Sequence, residues 1–278
     1  MKYEITRKED FNSEDYLLEV RAPLVSERFR AGNFVVLLTH PKGERIPMSV
    51  LKAENDKISL IIKKLGKTSY ELDTYEVGDS LEAVIGPLGN PIVVKEYGNV
   101  AVASDLVCGH AENYAASKAL HEIDGNHVIS IQTFPTKDLK YLEEELKSVS
   151  DEYHMTTTDG SYGTKGHYLD VLVQLLKEKK VDMIFAGGKI SSLKELSDLI
   201  KPYGIPAMVT LRSIMVDGTG MCGSCRVYIN GEMKLACIDG PMFEASMVDF
   251  DALLNATARF KEVETEAMKN YNKEAGGK

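Results

Sequence analysis

Residues 99–134 read NVAVASDLVCGHAENYAASKALHEIDGNHVISIQTF and contain the clearest pattern of secondary structure in the chain. It begins with the apolar run NVAVAS, continues with ENYAASKALHEI, which has helical spacing, and ends with a second apolar run, HVISIQTF. A buried strand, a helix and another buried strand in succession are typical of a parallel sheet. The stretch therefore predicts one strand–helix–strand unit of an α/β domain.

The same alternation continues to residue 210. Strand-like runs such as VDMIFAGG alternate with helix-like runs such as YLDVLVQLLKEKK, and PAMVTL reads as one more strand. Connections of this kind place helices on both faces of the sheet. We therefore predict a doubly wound parallel sheet, as in nucleotide-binding domains, over residues 96–210.

The segments on either side of this domain have different patterns. Residues 1–95 consist of short apolar runs separated by turn signals such as HPKGE and EVGD, which is typical of an antiparallel barrel or sandwich. Residues 211–250 are loop-rich and contain three cysteines, and residues 251–278 have helical spacing. We predict a β plus α/β architecture made of an N-terminal antiparallel barrel, the α/β domain, a small cysteine-containing domain and a helical tail.

Composition limits the class of protein. The 278 residues have a formal net charge of −9, which disfavours nucleic acid as a partner because phosphate binding needs a clustered basic face. No apolar run approaches the ~20 residues needed to cross a bilayer. The charged N-terminus lacks the apolar stretch of a signal peptide. We expect a protein of the cytoplasm that does not insert into membranes.

Three of the four cysteines lie close together, at Cys222, Cys225 and Cys237. With Asp217 as the first ligand, the spacing is D-x4-C-x2-C-x11-C. Plant-type [2Fe–2S] sites use C-x4-C-x2-C and a distant fourth Cys, so the pattern fits with Asp in the first place. A carboxylate is a competent iron ligand because it is anionic and binds through oxygen. The spacing therefore predicts a [2Fe–2S] cluster held by these four side chains.

Two other interpretations of the cysteines stay open at this point. A zinc ion bound by three Cys and one Asp would make the segment a structural staple in a subunit without a redox role, although zinc sites usually have two separated ligand pairs. Alternatively, the three thiols are not linked by any metal. The glycines at 218, 220 and 223 favour the iron–sulfur interpretation, because they permit positive φ and let backbone N–H groups approach sulfides.

The segment MVDGTGMCGSCRVYINGEMKLACIDGPMFEASMVDFDAL, residues 215–253, carries a family resemblance. It resembles, nearly residue for residue, the small subunit of NADH-dependent ferredoxin:NADP oxidoreductase, also called sulfide dehydrogenase beta subunit. It is similar, more distantly, to the electron-transfer subunit of dihydroorotate dehydrogenase. The resemblance covers most of the chain. It implies the architecture of the ferredoxin reductase superfamily, with an FAD-binding barrel over residues 1–95, a nucleotide-binding domain over 96–210 and a cluster domain over 211–250.

The resemblance also implies a flavin site in the barrel. Residues 45–49, RIPMS, resemble the family's Arg-x-Pro-x-Ser motif, in which the Arg binds the FAD pyrophosphate and the Ser lies near flavin N5. Residues 66–69, GKTS, resemble the second phosphate loop, where Gly allows close backbone approach and the hydroxyl groups donate to phosphate. The residues expected to bind FAD are Arg45, Pro47, Ser49, Gly66, Lys67, Thr68 and Ser69.

The nicotinamide site departs from the family pattern. The strand NVAVAS runs into DLVCGH, in which only Gly109 matches the glycine-rich loop that cradles a dinucleotide pyrophosphate. Side chains at the other positions would crowd the phosphate, and Asp105 would repel it. At the end of the strand MIFAG, residues 187–192, GGKISS, stand where the family has Gly-Pro and paired Met residues. The loop TDGSYGTKG, residues 158–166, resembles the family's loop well.

Two interpretations of this site follow. In one, an altered pocket still accepts NAD(P)(H), and FAD exchanges a hydride with it, as in an active NAD(P)H:ferredoxin-type oxidoreductase. In the other, which these departures favour, the nicotinamide site is degenerate and the chain relays electrons between FAD, the cluster and a partner. The resemblance implies that this partner is a larger iron–sulfur and flavin subunit, through which ferredoxin would be reached. No catalytic residue is predicted.

Overall fold

The structure is a computed structural model that describes residues 3–275. Its first part is an antiparallel sheet of seven described strands in the order β6-β1-β2-β5-β4-β3-β7, which curls into a nearly closed barrel. Two short helices, α1 (Pro23–Arg28) and α2 (Lys67–Asp73), accompany it. The strands are β1 (Tyr3–Asp10), β2 (Asp15–Arg21), β3 (Phe34–Leu38), β4 (Arg45–Glu54), β5 (Lys57–Lys63), β6 (Ser80–Leu81) and β7 (Ala83–Leu88).

The inside of this barrel is apolar because alternate residues of each strand face inward. Leu18 and Val20 of β2, Ile58 and Leu60 of β5, and Leu37 of β3 are fully buried there. The remaining residues of each strand face either solvent or the second sheet.

The second sheet has the order β11-β10-β9-β8-β12-β13-β16 in the described residues. Its pairs are parallel except the last, between β13 and β16. The chain starts in the middle of the sheet and winds to both sides, so the predicted doubly wound architecture is confirmed. The strands are β8 (Asn99–Ser104), β9 (His127–Phe134), β10 (Glu152–Thr157), β11 (Thr164–Lys165), β12 (Met183–Gly187), β13 (Ala207–Thr210) and β16 (Met242–Glu244).

Helices α3 (Val107–His121), α4 (Glu143–Lys147), α5 (Tyr168–Lys177) and α6 (Ile190–Ile200) connect these strands. Of these, α3 also packs on the barrel. Its Ala111 and Tyr114 share an apolar cluster with Leu51 of β4 and Ile61 of β5. Lys118 reaches Glu54 at 2.7 Å across the same boundary. Helix α3 therefore packs on both the parallel sheet and the barrel.

A buried polar network fixes α3 on its own sheet. The side-chain amide of Asn113 donates to the carbonyls of Val102 and Ile131, which belong to the two strands beneath the helix. His110 lies 2.8 Å from Ser104 and stacks on a neighbouring aromatic ring. Burial lowers the pKa of His110 to about 3, so this imidazole is neutral. The network determines where α3 lies along the strands beneath it and which of its faces is turned toward them.

The cysteine-containing segment is attached to the second sheet. It forms a hairpin of β14 (Arg226–Ile229) and β15 (Glu232–Leu235), a short helix α7 (Ala236–Asp239), and then edge strand β16. Its apolar residues belong to the same core as β13. The predicted limits of the domains are not tested by this arrangement and stay predictions.

The C-terminal residues form two helices, α8 (Phe250–Ala258) and α9 (Lys261–Ala275). Phe250 and Leu253 of α8 are buried in the chain's own core. On α9, Tyr271 approaches Tyr70 of α2, with ring centroids 6.2 Å apart. None of the helices described between residues 3 and 275 is long and apolar enough to cross a membrane.

Candidate functional site

The loop from Asp217 to Cys225 depends on three glycines in the left-handed region. Gly218, Gly220 and Gly223 have φ of +76°, +85° and +64°, which other residues adopt only with strain. A Cβ on Gly218 would also lie 2.7 Å from Leu88 of β7. The glycines therefore give the loop its shape and let it pack against the barrel.

Two of the cysteines form a buried pair. The Sγ atoms of Cys225, which precedes β14, and Cys237, in α7, are 3.2 Å apart, and both side chains are buried. Burial and the contact with Cys225 raise the pKa of Cys237. Cys222 is exposed, and a hydrogen bond with Ser224 lowers the pKa of its thiol.

Asp217 pairs with the remaining cysteine. Its Oδ2 accepts from the backbone N–H of Cys222 at 2.7 Å, and its Oδ1 accepts from the backbone N–H of Thr219 at 2.5 Å. These hydrogen bonds, first that from Thr219, hold the pKa of Asp217 at about 2. The carboxylate is therefore ionised at neutral pH and lies beside Cys222.

The four predicted ligands thus come together as two pairs within one loop and hairpin. Among the residues described, no group of three or more His, Cys, Asp or Glu side chains is arranged to hold a single metal ion. The binding of a cluster by these four side chains remains a prediction. What the structure shows is that they lie in two pairs, Asp217 with Cys222 and Cys225 with Cys237.

The RIPMS motif lies on β4. Ile46 and Met48 pack on the barrel core, so the alternate residues Arg45, Pro47 and Ser49 share the outer face of the strand. Arg45 and Pro47 are exposed, and Ser49 is half-buried under α3. The structure therefore places the three predicted flavin-binding residues of this motif in one row.

The GKTS loop begins α2. The Ser69 hydroxyl accepts from the backbone N–H of Gly66 at 2.9 Å, and the Thr68 hydroxyl donates to Glu44 at 2.5 Å, so both hydroxyl groups are engaged within the chain. Gly66 has φ of −115°, which any residue adopts, and a Cβ there would meet nothing within 4 Å. Neither strain nor packing within the chain explains this glycine.

Asp105, just after the end of β8, is buried among hydrogen-bond donors. Its carboxylate accepts from the backbone N–H of Lys189 at 2.8 Å, from the Ser192 hydroxyl at 2.5 Å and from His167 at 3.0 Å. Burial alone would raise the pKa of Asp105, but these hydrogen bonds, first that from His167, hold it below its ordinary value. A Cβ on Gly188 would lie 1.8 Å from Oδ1.

The glycines nearby also have structural explanations. A Cβ on Gly109 would lie 2.2 Å from the carbonyl oxygen of Gly187, so glycine is needed for α3 to pack against the end of β12. In the TDGSYGTKG loop, Gly163 has φ of +61°, and a Cβ there would lie 2.1 Å from the carbonyl oxygen of Met155. Packing therefore accounts for both positions without a bound nucleotide.

Glu112, in α3, contacts a predicted site residue, and the sequence analysis did not single it out. The Ser49 hydroxyl donates to its Oε1 at 2.6 Å, and its Oε2 has no hydrogen-bond partner among the described residues. Burial raises the pKa of Glu112, and Ser49, Thr210 and Arg212 oppose that shift. The available signal was a lone acidic residue in the otherwise neutral stretch HAENYAAS.

Comparison with known proteins identifies this combination of sheets and cysteine segment. The fold is that of the ferredoxin reductases: a ferredoxin NADP⁺ reductase from Neisseria gonorrhoeae superposes with a TM-score of 0.59 at 13% identity, covering 73% of this chain and 91% of that one. Residues 212–249 match the family model for the iron–sulfur cluster binding domain of dihydroorotate dehydrogenase B. These features define the class as a ferredoxin reductase-like protein with an iron–sulfur binding domain.

Two full-length relatives are more specific. The dihydroorotate dehydrogenase B (NAD(+)) electron transfer subunit homolog of Thermotoga maritima is 39% identical over 275 residues, 98% of this chain and 96% of the relative. A solved chain of an NADH-dependent reduced ferredoxin-NADP oxidoreductase is 38% identical, with a TM-score of 0.90 and 97% of each chain covered. The chain belongs to the family of dihydroorotate dehydrogenase B electron transfer subunits and their homologues. The family resemblance predicted from the sequence is confirmed.

The buried contacts of Asp105 generate a prediction about stability. Asp105→Asn should lower the free energy of unfolding by about 1–3 kcal/mol at pH 7, because an amide keeps one acceptor and brings a donor toward other donors. The folded-state pKa of Asp105 is lowered, so its contribution is present above pH ~4 and is lost as pH falls. Urea denaturation between pH 7 and pH 3 should show the gap between variant and wild type narrowing.

The matched control is Asp124→Asn, in an exposed turn, which should change the free energy of unfolding by less than about 0.5 kcal/mol. Equal stability of Asp105→Asn and wild type at pH 7 would contradict the role of the Asp105 contacts.

Proposed function

We propose that this chain is an electron-relay subunit that holds FAD against its barrel and a [2Fe–2S] cluster in its C-terminal segment, and that it exchanges electrons with a larger redox subunit. The observation that supports this most directly is the arrangement of the four predicted ligands as two pairs, within a segment that matches an iron–sulfur binding domain. A [2Fe–2S] cluster supplies one-electron transfer.

The pairing suits two metals better than one. A single tetrahedral zinc needs four donors around one centre, whereas a two-iron cluster takes two protein ligands at each iron. We infer that Cys225 and Cys237 bind one iron, and that Asp217 and Cys222 bind the other. The zinc-stapled structural subunit is the weaker candidate for this reason.

The barrel face fits a flavin. Arg45, Pro47 and Ser49 lie in one row, and Arg is suited to a pyrophosphate because its planar guanidinium can donate two hydrogen bonds. The open space at Gly66 is where a backbone could approach a phosphate closely. FAD would exchange electrons singly or in pairs. It could therefore couple the one-electron transfers of the cluster to a two-electron reaction.

The nucleotide side of the α/β sheet supports the relay over hydride exchange. Doubly wound sheets bind nucleotide phosphates at the carboxyl ends of their strands. Here the Asp105 carboxylate takes the donors at that edge, which are the Lys189 N–H and the Ser192 hydroxyl. An anion already in this place would oppose a second one. The runner-up, active exchange with NAD(P)(H), draws support from the names of the relatives, which mention NAD(+) and NADH.

The partner follows from the class of the relatives. A subunit named for electron transfer implies a second subunit with its own redox centre. We propose a larger iron–sulfur and flavin subunit, with ferredoxin reached through it. Met221 and Cys222 are exposed at the tip of the cluster loop, so this loop is accessible to such a partner. A reducing compartment such as the cytoplasm suits the free thiols.

The ligand assignment predicts which cysteines matter. Cys222→Ser, Cys225→Ser and Cys237→Ser should each reduce bound iron and acid-labile sulfide, from about two of each per chain in the wild type. Cys108→Ser is the matched control and should retain both, because Cys108 lies in α3. Chemical analysis and visible absorption of anaerobically purified protein provide the measurement. A colourless protein with bound zinc would overturn the cluster.

The flavin site predicts a role for Gly66. Gly66→Ala should weaken FAD binding by about tenfold, because the added methyl group would occupy the space of the approaching phosphate. The same methyl group meets nothing in the chain, so the urea midpoint should hardly change. Fluorescence titration of deflavinated protein measures the affinity, with Glu76→Ala, at an exposed position after α2, as the control. Unchanged affinity in Gly66→Ala would place FAD elsewhere.

The nucleotide site predicts a result for the FAD-loaded protein. In an anaerobic titration, neither NADH nor NADPH should bleach the flavin bands, because Asp105 occupies the phosphate-binding edge, whereas dithionite should bleach them. Bleaching by either nucleotide would favour the runner-up function.

A further inference from the structure

Strand β3 of the barrel lies beside the residues that the proposed function assigns to the flavin. It pairs with β4, so that Phe34 stands opposite Ser49 and Val36 stands opposite Pro47. Residues opposite each other in an antiparallel pair share one face of the sheet. Phe34 and Val36 are therefore direct neighbours of the flavin row, which consists of Arg45, Pro47 and Ser49.

The cluster loop, residues 217–225, rests on this same face of β3. A Cβ on Gly218 would lie 3.0 Å from Val36 and 2.7 Å from Leu88, with the Phe34 ring at 3.6 Å. Gly218 directly follows Asp217, which is one of the proposed iron ligands. Because neighbouring strands are about 5 Å apart, this ligand lies about one strand away from the flavin row.

The other end of the ligand set is also fixed to the barrel. Asn90 lies two residues after β7, and its backbone N–H donates to the carbonyl of Gly240 at 2.6 Å. Its side-chain amide donates to the carbonyl of Ile238 at 3.0 Å, next to Cys237. The segment is thus held against the barrel on both sides, and Gly218 is the point where its backbone contacts β3 without an intervening side chain.

We propose that Gly218 is a positioning residue for electron transfer within this chain. Without a side chain, it lets the cluster loop touch Val36, and this contact sets the separation between the cluster and a flavin on the flavin row. Electron transfer slows steeply as the separation of two redox groups grows, so the contact would determine how fast they exchange electrons. This inference rests on the proposed function and adds to it the residue that fixes the separation.

The transfer moves single electrons. Anionic reduced FAD loses two electrons, one after the other, and one proton to water. Each electron converts one ferric iron of the cluster to ferrous iron, and the redox centre of the larger subunit takes it before the next one arrives. Reduction of FAD runs the same transfers backwards. No atom passes between the flavin and the cluster, so their separation is what the protein has to fix.

The test uses the full chain loaded with FAD, iron and sulfide. A laser flash with deazaflavin and a sacrificial electron donor reduces the protein by one electron, and absorbance then follows the exchange between flavin and cluster. Gly218→Ala should slow this exchange several-fold, because the added methyl group has no space between the loop and the barrel. EPR gives a readout that does not depend on activity: the magnetic coupling between one-electron-reduced FAD and the reduced cluster should weaken.

The matched control is Gly223→Ala in the same loop. Gly223 also has positive φ, +64° against +76° at Gly218, so both variants strain the backbone. A Cβ on Gly223 would meet only the side chain of Arg226, at 3.5 Å, and would not push the loop from the barrel. This variant should keep the exchange rate and the coupling of the wild type.

A second pair of variants leaves the cluster loop unchanged, so it decides the question even where Gly218→Ala loses iron. Val36→Ile adds a methylene group beneath Gly218 and should slow the exchange and weaken the coupling. Val35→Ile adds the same group on the other face of β3, in the barrel core, and should leave both as in the wild type.

Loaded Val36→Ile with the exchange rate and coupling of wild type would overturn this inference alone. Equal slowing in Gly223→Ala or Val35→Ile would do the same, because the effect would then not depend on contact between the loop and β3. A wild type that binds no FAD, or no iron and sulfide, would overturn the proposed function and this inference together.

Discussion

The packing of α3 against both the parallel sheet and barrel strand β4 is the contact on which the rest of the structure depends. Asn113 bonds the helix to the two strands beneath it, and Gly109 lets its first turn approach β12. On the other side, Tyr114 packs on β4 and β5. Because one helix packs on both the parallel sheet and the barrel, it determines how the two sheets are placed relative to each other.

Two acids near this helix show how surroundings determine the state of a carboxyl group. Asp105 and Glu112 are both buried, and burial alone would raise the pKa of each. Asp105 accepts three hydrogen bonds and remains a carboxylate, whereas Glu112 accepts one and leaves Oε2 unpartnered. Asp105 is therefore a fixed internal anion at the carboxyl end of β8. The pKa of Glu112 is instead raised by burial, and its carboxyl group is held by Ser49 where α3 meets the barrel.

The cysteine-containing segment is held in place by packing. Its loop has little regular secondary structure, but Gly218 packs against the barrel and Cys225 and Cys237 belong to the core of the second sheet. The predicted ligands thus lie where both sheets support them. The loop is thus packed against the protein on one side, while its other side is exposed at Cys222.

The two sheets, the cysteine segment and the family could be predicted from the sequence, because they depend on local patterns: apolar alternation, helical spacing and the D-x4-C-x2-C-x11-C spacing. The RIPMS and GKTS motifs and the departure at DLVCGH were also visible there. The contacts of those residues became known from the folded structure alone. The sequence predicted that Asp105 would repel a phosphate, and the structure adds that its carboxylate accepts from Lys189, Ser192 and His167, residues distant in the chain. The contact between Ser49 and Glu112 spans 63 positions. No local pattern encodes such a pair, because it exists only where a helix of one sheet packs on a strand of the other.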